Sequence, residues 1–288
     1  MPALAALRQQ FPQARLEVLG YPHIAQLALA GGLAADVRSI EAGALASFFA
    51  RGGELSKDLM DYFSDFDLII SYLYDPDKIF ETNVARCTKA QFIAGPHRPN
   101  ESGGLHATEV FLKPLERLAI FDADTVPRLT VAKAFETNLH AGKWLALHPG
   151  SGSENKNWPE SNWAGLLNYL VQSTSFQLLL IGGEAERDRL ERLAKPLPQS
   201  RLKLMQSAPL PELARWMAAC NSFVGHDSGI SHLAAAVGLP SLILWGDTVE
   251  AVWRPRSQRL TVLRDSKGLK ELSVPVVINH VEQLFERD

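Results

Sequence analysis

Cysteine is scarce in this sequence: of 288 residues only Cys87 and Cys220 are cysteines, and they form no CxxC pair. The two thiols lie far apart in the chain, which argues against a disulfide framework or a cysteine zinc site and fits a reducing cytosol. No apolar run approaches the roughly 18 residues needed to cross a bilayer. The first twelve residues have no basic segment ahead of their apolar stretch, so they are interpreted as an amphipathic helix and not as a signal peptide.

Basic residues are not in excess either. The formal net charge is −3, which argues against a globally basic nucleic-acid binder, and we expect no nucleic-acid partner. The chain also lacks low-complexity segments and repeats of fixed period. A hydrophobic fraction of 46% is ordinary for a globular protein. With about 100–200 residues per domain, the length predicts two domains.

Short apolar runs alternate with helix-like runs of about ten residues in both halves, which predicts βαβ units, parallel sheets and the α/β class. Strands are expected at Leu16–Leu19, Val37–Ile40, Leu68–Ser71, Gln91–Ala94, Trp144–Leu147, Phe176–Ile181, Arg201–Met205, Ser222–Val224 and Ser241–Leu244. Helices are expected at Ala3–Gln10, Pro22–Ala30, Lys78–Arg86, Thr108–Leu118, Glu160–Val171, Glu184–Ala194, Leu210–Ala219 and Ile230–Val237.

A segment with Pro127, Asp122–Arg128, separates the two alternations and is interpreted as a linker. We therefore expect an N-terminal Rossmann-like domain over residues 1–125 and a C-terminal one over residues 126–288. The two doubly wound domains are expected to face a cleft. The first opens on a helix, where a doubly wound domain usually opens on a central strand. Either that strand is absent from this chain or the domain is unusual.

Two glycine-bearing loops, HPGSGSENKNWP (His148–Pro159) and GHDSGISH (Gly225–His232), carry the clearest chemical signal. Each follows a strand-like run and precedes a helix-like run. Glycine permits tight turns with exposed amides, and a helix N-terminus offers unpaired N–H groups and a positive dipole end. Because ligands of doubly wound folds bind at the carboxyl ends of the strands, the two loops together predict a diphosphate site.

In the first loop, Ser151, Gly152 and Ser153 would permit close approach of a phosphate, and Lys156 would supply a point charge. The spacing is not the Walker pattern, so an ATPase is not inferred. A polar loop with a solvated lysine is the alternative. Trp158 and Trp163 are expected to pack in the core, not to stack on a ligand.

In the second loop, Asp227 and Ser228 are good helix N-caps, so a cap with a tight turn is one interpretation. The other places a phosphate on the Ser228 and Gly229 amides, with the Ser228 hydroxyl as a further donor. His232, about one turn on, would add charge as a cation or be structural. A hydrolytic triad from Asp227, Ser228 and His232 is disfavoured, because the three lie within six residues and no GxSxG occurs.

Three further observations concern carboxylate side chains and the basic side chains of the first half. Glu184, after a Gly-Gly pair, would bind ribose hydroxyls or serve as a first-turn helix acid. Three DxD triplets, at Asp65, Asp75 and Asp122, lie outside the glycine loops, and no metal site is inferred from them. Among the basic groups of the first half, Arg98 and His106 flank the segment 99–105. They are the candidates for contact with an acidic acceptor or a membrane surface.

At these residues the sequence resembles glycosyltransferase family 9, the ADP-heptose:lipopolysaccharide heptosyltransferases. The likeness rests on LHPGSGSENKNWPESNW (Leu147–Trp163), IGGEAE (Ile181–Glu186) and VGHDSGISHLAAAVGLPSLILWGDT (Val224–Thr248), with a weaker match at PALAALRQQFP (Pro2–Pro12). The resemblance implies a GT-B fold and a metal-independent, inverting transfer of heptose from an ADP-sugar to a lipopolysaccharide-core or similar glycan. No cofactor is implied beyond this nucleotide-sugar co-substrate.

The resemblance also implies roles for residues of the second half. Ser151, Gly152, Ser153 and Lys156 would contact the diphosphate, and Glu184 would hold the ribose. The phosphates and sugar would lie against Asp227, Ser228, Gly229 and His232. The backbone at Ala208–Leu210 would lie along the edge of the nucleotide base. The acceptor would be lipid-linked or an acidic glycan, and the location cytoplasmic with peripheral contact to the inner membrane.

The sequence departs from the family pattern in two places. Family members begin with a strand and a glycine-aspartate motif, and that aspartate, the usual candidate for the general base, would precede Met1. The base is therefore unassigned, and a truncated start or a binding-only homologue are both open. Gly246–Glu250 reads GDTVE where GPTDP is more common, which affects the sugar-side contacts. A sugar-nucleotide epimerase or hydrolase on a similar fold is the remaining alternative.

Overall fold

The computed structural model describes residues 1–135, 142–153 and 156–286. The chain folds into two compact units, Met1–Thr125 and Val126–Asp288. None of the described helices is long and apolar enough to cross a membrane.

The first unit contains short strands and helices in alternation. Its strands are β1 (Glu17–Gly20), β2 (Asp36–Ser39), β3 (Leu68–Ser71) and β4 (Gln91–Ala94). Its helices are α1 (Pro2–Gln10), α2 (Pro22–Ala30), α3 (Lys57–Ser64), α4 (Ile79–Ala85) and α5 (Ala107–Leu112). The predicted helix over Thr108–Leu118 is broken, because Pro114 turns its second half into a 3₁₀ segment, Lys113–Leu118.

The strands of the first unit form two separate parallel pairs, β1 with β2 and β3 with β4. Leu19 of β1 and Ile69 of β3 nevertheless pack against the same cluster, which includes Phe48 and Phe63. On the other face, Ile70 of β3 packs against a second cluster built from α1 and Leu115. The two pairs thus pack on one shared apolar cluster without pairing with each other, so the sheet of this unit is divided.

The second unit is built on one parallel sheet. Its strands are β5 (Trp144–His148), β6 (Gln177–Gly182), β7 (Leu202–Gln206), β8 (Ser222–His226), β9 (Ser241–Leu244) and β10 (Leu260–Leu263). Its helices are α6 (Glu160–Ser173), α7 (Arg187–Ala194), α8 (Leu210–Ala218), α9 (Gly229–Ala236), α10 (Glu250–Trp253) and α11 (Val274–Glu286). The strand order is β10-β9-β8-β5-β6-β7, which is the doubly wound Rossmann order.

The core of this unit explains why its strands are apolar throughout. Residues 145–148 of β5 and all of β8 and β9 are buried, as parallel strands covered on both faces must be. Trp158 and Trp163 are fully buried in the same core, which confirms their expected packing role. Strand β10 and helices α10 and α11 of this unit were not predicted from the sequence, and neither was α3 of the first unit. Helix α7 begins three residues later than expected.

Candidate donor site at the switch point of the second sheet

The strand order of the second unit reverses between β5 and β8, which are hydrogen-bonded neighbours. After β5 the chain moves outward through β6 and β7, and after β8 it moves the other way through β9 and β10. Ligands of open α/β sheets bind at such a switch point, beyond the carboxyl ends of the strands. Both glycine-bearing loops leave the sheet there, as the sequence predicted.

An ion pair joins the two loops. Lys156 Nζ lies 3.0 Å from Asp227 Oδ2, and the side chains are 41% and 8% exposed. The lysine is 71 positions away along the chain. A nearly buried carboxylate requires a compensating charge, so Asp227 fixes the lysine, whose side chain remains partly exposed to solvent.

The second loop does not cap its helix with a side chain. Ser228 is the N-cap residue of α9 but makes no side-chain cap hydrogen bond. Its Oγ lies 3.3 Å from Nδ1 of His148 at the end of β5. Ser228 thus occupies the N-cap position that the sequence indicated, but its hydroxyl does not make the capping hydrogen bond. Gly229 opens the helix and His232 is half-buried in its first turn.

Two histidines beneath the loops are uncharged near neutral pH. Burial lowers the pKa of His148 to about 4 and, as the largest cause, that of His226 to about 3. Their rings act as neutral hydrogen-bonding groups. Positive charge at this position comes from Lys156 and also from Arg189, whose Nη1 lies 3.4 Å from the Pro149 carbonyl oxygen and whose charge lowers the pKa of His226.

A buried carboxylate that the sequence did not single out connects the first loop to the turn after β6. Glu186 Oε1 accepts the Gly152 N–H at 3.0 Å, and Oε2 accepts the Gly183 N–H at 2.9 Å. A Cβ on Gly150 would lie 2.1 Å from Glu186 Cγ, so glycine is required where this side chain crosses the loop. Glu186 thus binds the Gly152 amide and holds the backbone of the first loop in place.

The other sequence-based donor residues lie at the same edge of the sheet. Glu184 is exposed in the turn between β6 and α7, which begins only at Arg187, so it is not a first-turn helix acid. Ala208 and Leu210 follow β7, where Ser207 adopts a left-handed conformation with φ 50°. Ser151 Oγ lies 2.7 Å from Asn157 Oδ1 and 2.9 Å from the Ser153 carbonyl oxygen, which ties this hydroxyl into its own loop.

In the first unit, the structure gives the two acceptor-side candidates different surroundings. His106 is buried and its Nδ1 accepts the Thr108 N–H at 3.1 Å, so it caps α5. Arg98 is exposed and paired with Glu101 at 3.1 Å. A cavity of about 240 Å³ lies at the carboxyl ends of β3 and β4, lined among others by Tyr74, Glu81 and His97. Arg98 is the next residue in the chain after His97, which lines this cavity.

No group of three or more His, Cys, Asp or Glu side chains in the described ranges is arranged to hold a metal ion. Two of the DxD carboxylates have local structural partners. Asp75 accepts the Ile79 and Glu81 N–H groups at the start of α4, and Asp77 pairs with Arg51 at 3.4 Å.

A parallel sheet of Rossmann order, with two glycine-bearing loops at its switch point, places this protein in the α/β class with the GT-B fold. Two solved structures from Escherichia coli support this class by their fold. ADP-heptose lps heptosyltransferase II matches with a TM-score of 0.78 at 16% identity over 99% of this chain and 94% of that one. Heptosyltransferase WaaC with ADP matches with a TM-score of 0.73 at 18% identity over 98% and 94%.

The chain belongs to glycosyltransferase family 9 (heptosyltransferase), whose family model matches residues 115–278. Lipopolysaccharide heptosyltransferase 1 of Escherichia coli O18:K1:H7 is 31% identical over 160 residues, which are 54% of this chain and 48% of that protein. The matched part of the chain thus spans about half the length of this curated relative.

Proposed function

We propose that this chain binds ADP-heptose, or an ADP-linked relative of it, and transfers the sugar to a hydroxyl of a lipopolysaccharide-core or similar glycan. The proposal includes inversion at the anomeric carbon, no metal and no cofactor beyond the sugar nucleotide. The names of similar proteins support the donor, since one is an ADP-heptose heptosyltransferase and another was solved with ADP. Family membership supports the reaction class.

The observation that carries the proposal is the meeting of the two loops at the β5–β8 switch point around Lys156. A diphosphate there would contact Lys156 Nζ, which Asp227 already orients at 3.0 Å. The Gly229 amide at the start of α9 and the Ser228 hydroxyl would add donors. Ser151, Ser153 and His232 are proposed as further contacts, while Gly152 is proposed to act through its bond to Glu186.

The rest of the donor is assigned by position along the sheet edge. Glu184, exposed at the end of β6, is proposed to hold the ribose hydroxyls. The backbone at Ala208 and Leu210, after β7, would edge the base. Glu186 is proposed to fix the loop backbone, because both of its oxygens already accept amide protons.

The reaction needs charge stabilisation on the leaving group. The acceptor oxygen attacks the anomeric carbon, the bond from that carbon to the diphosphate oxygen breaks, and a carboxylate base takes the acceptor proton. The leaving diphosphate gains negative charge, which Lys156, a protonated His232 and the α9 amides would stabilise in place of a metal ion. The residue that serves as base is left open.

The acceptor is proposed to lie on the first unit. The cavity after β3 and β4 and the neighbouring Arg98 support this assignment. A lipid-linked or acidic glycan would be met at the cytoplasmic face of the inner membrane, with the chain in peripheral contact.

A release assay tests the reaction. ADP-heptose is incubated with the chain in EDTA, with and without a heptose-deficient lipopolysaccharide core, and free ADP is measured. The proposal expects ADP release only with acceptor. Release without acceptor would instead indicate a hydrolase or epimerase, and dependence on added divalent metal would contradict the metal-free mechanism.

A second candidate is donor binding without transfer. The divided sheet of the first unit favours it, because β1–β2 and β3–β4 do not join into one platform. This candidate expects ADP binding but no ADP release under either condition.

A further inference from the structure

A single buried imidazole holds both ends of the first donor loop. His226, the last residue of β8, has no exposed surface. Its Nε2 accepts the Trp158 N–H at 2.8 Å, and its Nδ1 lies 3.2 Å from the Gly150 carbonyl oxygen. Gly150 and Trp158 bracket the part of the loop that carries Ser151, Ser153 and Lys156.

The partners fix the tautomer of this ring. Because the Trp158 amide can only donate, Nε2 must be unprotonated, and the proton is on Nδ1, which donates to the Gly150 carbonyl. A cationic ring would direct a second N–H at the Trp158 N–H. Desolvation is the largest cause that keeps the pKa of His226 low, at about 3, so the neutral form persists at physiological pH.

The same residue is also the anchor of the second loop. The Ser231 hydroxyl donates to the His226 carbonyl, and the next residue, Asp227, forms the ion pair with Lys156. The Trp163 ring lies edge-on to the imidazole with centroids 5.5 Å apart, which restrains the ring plane. His226 therefore connects the two loops through its side chain and its backbone.

We propose that His226 is a positioning residue for the donor diphosphate: it holds the first loop in the conformation that brings Lys156 to Asp227 and the α9 N-terminus. The inference rests on the proposed nucleotide-sugar function. His226 touches the loop and not the diphosphate, so its effect on binding passes through the loop geometry.

Three substitutions distinguish the hydrogen bond to Gly150 from the hydrogen bond to Trp158. In His226→Asn the amide nitrogen can take the place of Nδ1 and donate to Gly150. In His226→Gln the amide oxygen can take the place of Nε2 and accept from Trp158. His226→Phe keeps the ring volume with neither bond, and His280→Gln on α11 is the control.

Each variant is measured as the full chain, by calorimetric titration with ADP and by thermal unfolding. We expect Asn and Gln to weaken ADP binding by about 3- to 10-fold, and Phe by about 30-fold or more, as one or both hydrogen bonds are lost. If all three folded variants bind ADP like the wild type and are only less stable, His226 is merely structural and the proposal is overturned.

Two readouts without ligand keep this test separate from the proposed function. Long-range ¹H–¹⁵N spectra should show the Nδ1–H tautomer at pH 7, and an Nε2–H tautomer or a cation would refute the assignment. Exchange of the Trp158 amide proton should stay slow in His226→Gln and become faster in His226→Asn and His226→Phe. If the wild type binds no ADP, the proposed function fails, but these two readouts still test whether His226 positions the loop. Equal Trp158 amide exchange in all variants would overturn that positioning role.

Discussion

The buried carboxylate of Glu186 gives a prediction whose size follows from its contacts. It is 9% exposed and accepts two backbone N–H groups, from Gly152 and Gly183. A hydrogen bond to a charged group contributes about 1.5–3 kcal/mol. Glu186→Ala should therefore lower the free energy of unfolding of the second unit by about 3–6 kcal/mol. Glu186→Gln, which retains one accepting oxygen, should lower it by about half as much.

The assay follows from the distribution of tryptophan. All 6 tryptophans lie between residues 144 and 253, inside the unit Val126–Asp288. Tryptophan emission during urea unfolding thus reports on this unit alone. Glu191→Gln, exposed on α7, is the control and should change stability by no more than about 0.5 kcal/mol. If Glu186→Ala unfolds at the same urea concentration as this control, the carboxylate does not join the loops and the reasoning is refuted.

Four other perturbations test the same site. Lys156→Ala should weaken ADP binding by roughly 10- to 100-fold in a calorimetric titration, since it removes a charge-assisted contact. Asp227→Ala should also weaken ADP binding, and Lys195→Ala is the control. If both variants bind ADP as tightly as the control, the assignment of the phosphate site is wrong. His148 and His226 have folded pKa values of about 4 and 3, below the unfolded value of 6.5, so the unfolded chain binds more protons as the pH falls below 6.5. Stability should then be lost by up to about 1.4 kcal/mol per pH unit for each ring, and a urea midpoint unchanged from pH 7 to pH 5 would contradict their burial in neutral form. In Gly225→Ala the new Cβ would approach Phe223 Cζ to 2.5 Å, which should cost about 1–3 kcal/mol in urea unfolding; Gly229→Ala, with nothing within 4 Å, is its matched control, and equal losses would contradict the packing described.

The sequence predicted the second unit well because its strands are buried on both faces. Apolar runs such as Trp144–Leu147 and Ser241–Leu244 agree with the observed strands to within one residue. The edge strand β10, with half-buried residues in its last three positions, was missed because its apolar signal is short and weak. Helix α11, which packs on α6 through a buried face, was also missed.

Within the site, residue types were predictable and long-range partners were not. The two loops were expected to meet, because parallel strands bring their carboxyl ends to one edge. The different positions of Glu184 and Glu186 depend on the conformation of the turn before α7, which places Glu186 against Gly152 and leaves Glu184 exposed. The role of His226 depends on contacts 68 and 76 positions away, which no local pattern reveals.

The central claim is that the loops after β5 and β8 form a diphosphate site for an ADP-sugar. The most direct test is a calorimetric titration of the chain with ADP, UDP and GDP in EDTA, after its folding has been verified by tryptophan emission. We expect the chain to bind ADP in preference to UDP and GDP, with no need for metal. A folded chain that binds none of the three nucleotides would contradict it.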